Sequence, residues 1–82
     1  MSLEVAAFYQ FAALPDFREL REPLRAVCAE LGLKGSVLLA HEGINGTLAG
    51  TEAGIDALID ELRDGALFSG RLNHLEIGRA HV

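Results

Sequence analysis

The stretch Ser36-Val37-Leu38-Leu39-Ala40-His41-Glu42-Gly43-Ile44-Asn45-Gly46-Thr47-Leu48-Ala49-Gly50 sets two apolar runs around a glycine-rich bend. Ser36–His41 reads as a strand, and because it is apolar on both faces it is expected in the middle of its sheet. Asn45-Gly46 between extended apolar segments predicts a two-residue hairpin, since both residues tolerate the positive φ that a type I′ turn demands. Thr47-Leu48-Ala49 is then the returning strand, and Gly43 is the place for a bulge.

Outward from this hairpin the periodicity changes twice. Val5–Leu14 is apolar and aromatic, with Gln10 its only strongly polar member. It reads as a buried, central strand ended by Leu14-Pro15-Asp16, where Pro15 favours an extended predecessor. Phe17, Leu20, Leu24, Val27, Cys28 and Leu31 then recur at three- and four-residue steps, falling within roughly a 100° arc of a helical wheel. Pro23 would cost about 3 kcal/mol inside a helix and nothing at its first position. The expected arrangement is therefore a loose turn over Asp16–Arg21 and a helix from Glu22, ended by Gly32 or Gly35. Thr51 is placed to cap a second helix, with Ile55, Leu58, Ile59 and Leu62 facing inward and Gly65 at its end. Leu72–Ile77 begins a last strand. The order β-α-β-β-α-β is an α+β, ferredoxin-like sandwich with two helices on one face of an antiparallel sheet, its last strand expected to be incomplete.

Composition bounds the function. The 82 residues carry 7 Lys and Arg against 12 Asp and Glu, a formal net charge of -5, and are 50% hydrophobic and 23% charged. That is one small globular domain, not a disordered chain. Its acidity disfavours nucleic-acid binding by bulk electrostatics. The single cysteine, Cys28, rules out an internal disulfide or a multi-cysteine zinc site and suits a reducing compartment. No apolar run approaches the roughly 20 residues of a membrane span, and Met1-Ser2-Leu3-Glu4 does not open a signal peptide, so a cytoplasmic location without membrane partners is expected. Ile77-Gly78-Arg79-Ala80-His81-Val82 has no evident structural logic after Leu75 and resembles the in-frame translation of a sequencing adapter. Residues 1–76 are read as the domain and 77–82 as a non-native tail.

The candidate functional loop is His41, Glu42, Gly43, Asn45 and Gly46: an imidazole, a carboxylate and a carboxamide around glycines. As strand neighbours, His41 and Glu42 point to opposite faces and form no acid–base pair unless the chain kinks at Gly43. Asn45 stands where a zincin helix needs its second histidine, and no lysine completes a phosphate loop. No metal ligand set, catalytic residue or cofactor is identifiable. The plainer reading of the loop is a hairpin with locally satisfied polar groups. Cys28 lies near a helix C-terminus, where the dipole disfavours a thiolate, and reads as core. Arg18, Arg21 and Arg25 form a basic edge interrupted by Glu22, and Glu52, Asp56, Asp60 and Asp64 an outward acidic row. Tyr9, Phe8 and Phe11 read as sheet and core residues, because the Thr47–Ala49 strand lacks the aromatics of an RNA-reading sheet.

The run Leu33–Gly50, with Glu42-Gly43-Ile44-Asn45 at its centre, closely resembles the N-terminal signature of the tRNA uridine(34) hydroxylases, rhodanese-related proteins of bacteria. Phe8-Tyr9-Gln10-Phe11 and the Pro15-Asp16 turn also resemble that family, and the likeness spans residues 5–76. The resemblance implies an acylphosphatase-like N-terminal domain, followed by a rhodanese domain with a catalytic cysteine. It also implies oxygen-dependent 5-hydroxylation of the wobble uridine, an oxidoreductase activity. The chain departs from that pattern in having no rhodanese segment, so it is expected to be inactive alone. It would meet tRNA through the full-length protein and the rhodanese domain in cis. Self-association through an exposed sheet edge is also expected. The rival readings are a small-molecule regulatory domain of ACT-like architecture and an acyl-phosphate hydrolase. The latter is disfavoured because Leu14-Pro15-Asp16-Phe17-Arg18 lacks a glycine-rich phosphate cradle.

Overall fold

The computed structural model describes residues 3–81. Strand β1 (Leu3–Phe11) leads into helix α1 (Phe17–Glu30). Strands β2 (Lys34–Ala40) and β3 (Gly43–Thr51) form a hairpin, helix α2 (Glu52–Asp64) follows, and β4 (Glu76–His81) completes the chain. The sheet order is β2-β3-β1-β4, with every neighbouring pair antiparallel. This is the ferredoxin-like arrangement, with both helices on one face.

Side chains alternate across the sheet. Ala6 and Phe8 of β1 and Ile44 and Leu48 of β3 face the helices and are buried with Leu20 and Leu24 of α1 and Ile55, Leu58 and Leu62 of α2. The connection between α2 and β4 has no regular strand or helix, yet it drives Phe68, Leu72 and Leu75 into the same core.

The hairpin exists, but its reversal is not at Asn45-Gly46. The chain turns at His41-Glu42, closed by the Ala40–Gly43 pair, and Asn45 and Gly46 lie inside β3. The reason is tertiary. Turning early gives β3 nine residues that pair one-to-one with β1, from Phe11–Gly43 to Leu3–Thr51. A turn at Asn45-Gly46 would leave the end of β1 without a ladder partner, and unpaired backbone groups are costly. Gly43 carries the unusual backbone (φ 153°), and a Cβ there would stand 2.2 Å from the Gln10 carbonyl oxygen, so β1 and β3 close only around a glycine.

Two further expectations change. Ser36–His41 was expected to be central; the strand in this region, β2, is an edge strand, and its apolar outer side is left open. Helix α1 begins at Phe17, with Pro23 inside it. The Asp16 carbonyl accepts from the Glu19 and Leu20 amides (3.0 and 3.2 Å) and starts the helix early, while Leu20 and Leu24, buried on either side of Pro23, offset the lost hydrogen bond. Residues 77–81, for which the sequence alone finds no place, supply most of β4, pairing Ile77 with Phe8 and His81 with Glu4, while Val82 lies outside the described residues. Arg79 there forms an ion pair with the buried Glu4 and reaches Asp56 at 2.7 Å.

Local signals hold where they depend on neighbours in sequence. Thr51 Oγ1 accepts from the Gly54 amide at 3.0 Å, and α2 ends with Gly65 as its cap. At the end of α1, the Gly32 amide donates to Ala29 (3.1 Å) and the Leu33 amide to Cys28 (2.9 Å), the paired bonds of a Schellman motif.

Candidate functional site

Antiparallel pairing of β1 with β3 and β4 brings three connections to one end of the sheet: β1–α1, the β2–β3 turn and the segment before β4. The turn is pinned there by main-chain bonds. Leu14 donates to the His41 carbonyl at 2.8 Å and Ala12 to the Glu42 carbonyl at 3.0 Å. His41 and Glu42 therefore sit at a fixed, exposed corner.

Their side chains part company. The His41 ring lies against Phe17, with centroids 6.4 Å apart, and the Arg18 guanidinium covers the same phenyl ring at 5.2 Å. Glu42, Gly43 and Asn45 instead line a shallow depression of about 330 Å³ on the sheet face away from the helices, together with Tyr9, Phe11 and Leu38. Gly46 contributes space, not chemistry: a Cβ on it would lie 2.8 Å from the Phe8 ring and 2.9 Å from the Ser36 carbonyl oxygen. Of the five candidate residues, the structure thus brings Glu42, Gly43 and Asn45 together and sends His41 elsewhere. A carboxylate, a carboxamide and a phenol beside an apolar floor form a recognition surface more readily than a catalytic centre, because they hold no base against a nucleophile.

Beside the turn stands a second constellation that sequence reasoning did not single out. Arg71 grips Asp16 through two hydrogen bonds, while Gln10 donates to the Arg71 carbonyl at 2.8 Å and accepts from the His74 amide at 3.1 Å. The Arg71 guanidinium holds the Asp16 carboxyl below the usual carboxylate range, and the carboxylate in turn raises the Arg71 pKa. The one visible signal was Gln10, a lone amide in an apolar strand.

Two other places carry titratable groups. A groove of about 580 Å³ between α1 and edge strand β2 is lined by Arg21, Arg25, Cys28, Leu24, Val37 and Leu39, among others. Burial pushes the Cys28 thiol up, which keeps it protonated and fits its place against the core. At the far end of the sheet Glu4, Glu52 and His81 bring ligand-type atoms within 4.8 Å of one another, but Arg79 already neutralises Glu4. The acidic row on α2 is exposed throughout. Among the described residues no helix is long and apolar enough to cross a membrane.

Comparison with known proteins adds three findings. The profile of the UPF0176 acylphosphatase like domain matches residues 3–80. A tRNA uridine(34) hydroxylase of Nitrobacter winogradskyi is 69% identical over 75 residues, covering 92% of this chain and 29% of the relative. One from Bradyrhizobium diazoefficiens is 70% identical over 74 residues, covering 90% of this chain and again 29% of the relative. The chain thus spans under a third of the length of these curated relatives. In fold it is similar to an acylphosphatase from Coxiella burnetii, with a TM-score of 0.59 at 19% identity over 99% of this chain and 81% of that one. At that identity the likeness is one of fold.

Proposed function

This chain belongs to the UPF0176 acylphosphatase-like domain family, and from that premise we propose that it is the accessory N-terminal domain of a cytoplasmic tRNA-modifying oxidoreductase. In this reading the full-length protein hydroxylates the wobble uridine of tRNA at C5 in an oxygen-dependent reaction, its rhodanese domain carries the chemistry, and the present domain is inactive alone. The observation that carries the reading is the 70% identity to a tRNA uridine(34) hydroxylase across nine-tenths of the chain. The geometry agrees with an accessory role. The candidate loop offers Glu42 and Asn45 beside an apolar surface, and the β1–α1 connection spends its carboxylate, Asp16, on Arg71.

The test is a chimera in which this chain replaces the matched segment of the Nitrobacter winogradskyi relative, expressed in a strain lacking its own hydroxylase. Restored 5-hydroxyuridine in tRNA supports the reading, and Glu42→Ala or Asn45→Ala should lower it at unchanged protein level. An unmodified tRNA pool from a soluble, folded chimera overturns the reading. Normal modification in both variants reduces the loop to a hairpin. The isolated chain should not hydrolyse a model acyl phosphate, and turnover would restore the hydrolase alternative.

A further inference from the structure

The exposed large hydrophobic side chains among the described residues are Leu3 (47%), Tyr9 (53%), Phe11 (83%) and Leu38 (62%). All four lie on the same side of the sheet. Leu3, Tyr9 and Phe11 share the odd register of β1, opposite in direction to the buried Ala6 and Phe8. Leu38 pairs with Asn45, which pairs with Tyr9, so these three form one cross-strand row on that face. Tyr9 and Phe11 meet edge-to-face at 6.3 Å. Between them and Leu38 lies the depression that Glu42 and Asn45 border.

We propose that this open sheet face is the surface on which the domain docks against a folded, apolar protein surface elsewhere in the same full-length polypeptide. The inference rests on the accessory-domain reading and names the side through which the domain attaches.

Two arguments fix the occupant. More than two thirds of the length of the Nitrobacter winogradskyi relative lies beyond the segment this chain matches, so a tethered partner is available at high effective concentration. The face is also nearly uncharged: its charged strand positions are Lys34 and Glu76, one of each sign, on the two opposite edge strands. A phosphate backbone needs clustered Lys and Arg, which neither this face nor a chain of net charge -5 supplies, although Tyr9 and Phe11 could stack on bases. A protein core face needs what is here: aromatic anchors, a neighbouring aliphatic side chain, and hydrogen-bonding groups at the rim. Exposed apolar side chains gathered on one face and rimmed by polar groups mark interaction surfaces.

The experiment uses the full-length chimera described above, with photoreactive benzoylphenylalanine in place of Phe11 or, separately, Leu38. A third version carries it in place of Asp60, on the outward face of α2. Irradiation should give, at positions 11 and 38, a faster-migrating single-chain product whose cross-linked peptide maps beyond the matched segment, and none at position 60. Cross-links that join two chains, cross-links to tRNA, or no cross-link at either face position would each overturn the proposal. Measuring 5-hydroxyuridine with the unsubstituted chimera, whose sheet face is intact, separates the two ideas. Hydroxylation without the intramolecular cross-link removes the docking face and leaves the accessory reading. The cross-link without hydroxylation does the reverse.

Discussion

Arg71 holds Asp16 in a two-pronged grip, Nη1 to Oδ1 at 2.6 Å and Nη2 to Oδ2 at 3.1 Å, across fifty-five residues of chain. It ties the start of α1 to the segment before β4. Asp16 is depressed by this partner, so the stabilisation is complete above the unfolded carboxylate pKa of about 3.9 and is lost as pH falls through the lower folded value. The stability difference between the parent chain and Asp16→Asn should therefore be constant near neutrality and shrink as the solution is acidified below about pH 4. Urea titrations at a series of pH values measure it, and a gap that persists at pH 2 would contradict the assignment.

Gly46 should tolerate nothing larger. A Val there meets the Phe8 ring and the Ser36 carbonyl oxygen, an overpacking cost of about 1–3 kcal/mol. Asn45→Ala, one residue away on the open face, should change stability by less than about 0.5 kcal/mol. Chemical denaturation of the two variants separates the packing role of this loop from any recognition role.

Phe68 has no exposed surface although it belongs to no regular element. Phe68→Ala should cost about 3–5 kcal/mol, enough to unfold a chain of this size. Loss of cooperative thermal melting is the expected outcome, and a melting curve close to that of the parent would mean the segment before β4 is dispensable.

Thr51 caps α2 through one hydroxyl. Thr51→Ala should cost about 1 kcal/mol, and Thr51→Ser should restore most of it. Denaturant midpoints at constant slope are the readout.

Cys28 should react slowly. With its pKa raised by burial, alkylation by iodoacetamide at pH 8 should be slower in the folded chain than in urea, and its rate should keep climbing above the ordinary thiol range near pH 8.5. Equal rates folded and unfolded would place the thiol outside the packed surface.

How far the fold was legible depends on the range of the interactions that made it. Thr51, Gly65 and the apolar stripe Ile55, Leu58, Ile59, Leu62 gave α2 almost to the residue, because capping and periodicity act within one or two turns. Pro23 misled for the opposite reason: the local cost was visible, whereas the compensation from Leu20 and Leu24 buried against the sheet was not. In the candidate loop, the residue types were legible and their grouping was not. Separating His41 from Glu42, and joining Glu42 and Asn45 to Tyr9, Phe11 and Leu38, depends on where the hairpin turns and what β1 does beside it. Arg71 could not be found as the partner of Asp16, since nothing local links them.

By itself, the sequence determined the order of elements, the helix stripes and the end of α2 at Gly65, and it narrowed the end of α1 to Gly32 or Gly35, all set by backbone preferences and side-chain periodicity over a few residues. The tertiary structure decided the rest. It moved the reversal to His41-Glu42 because β1 offers β3 nine partners and pairing all of them satisfies the most backbone. It put β2 at the edge, and it left Tyr9, Phe11 and Leu38 uncovered because both helices pack on the other face of the sheet. Alternation says only that a strand has two sides; which one meets water is fixed by what the rest of the chain lays over it.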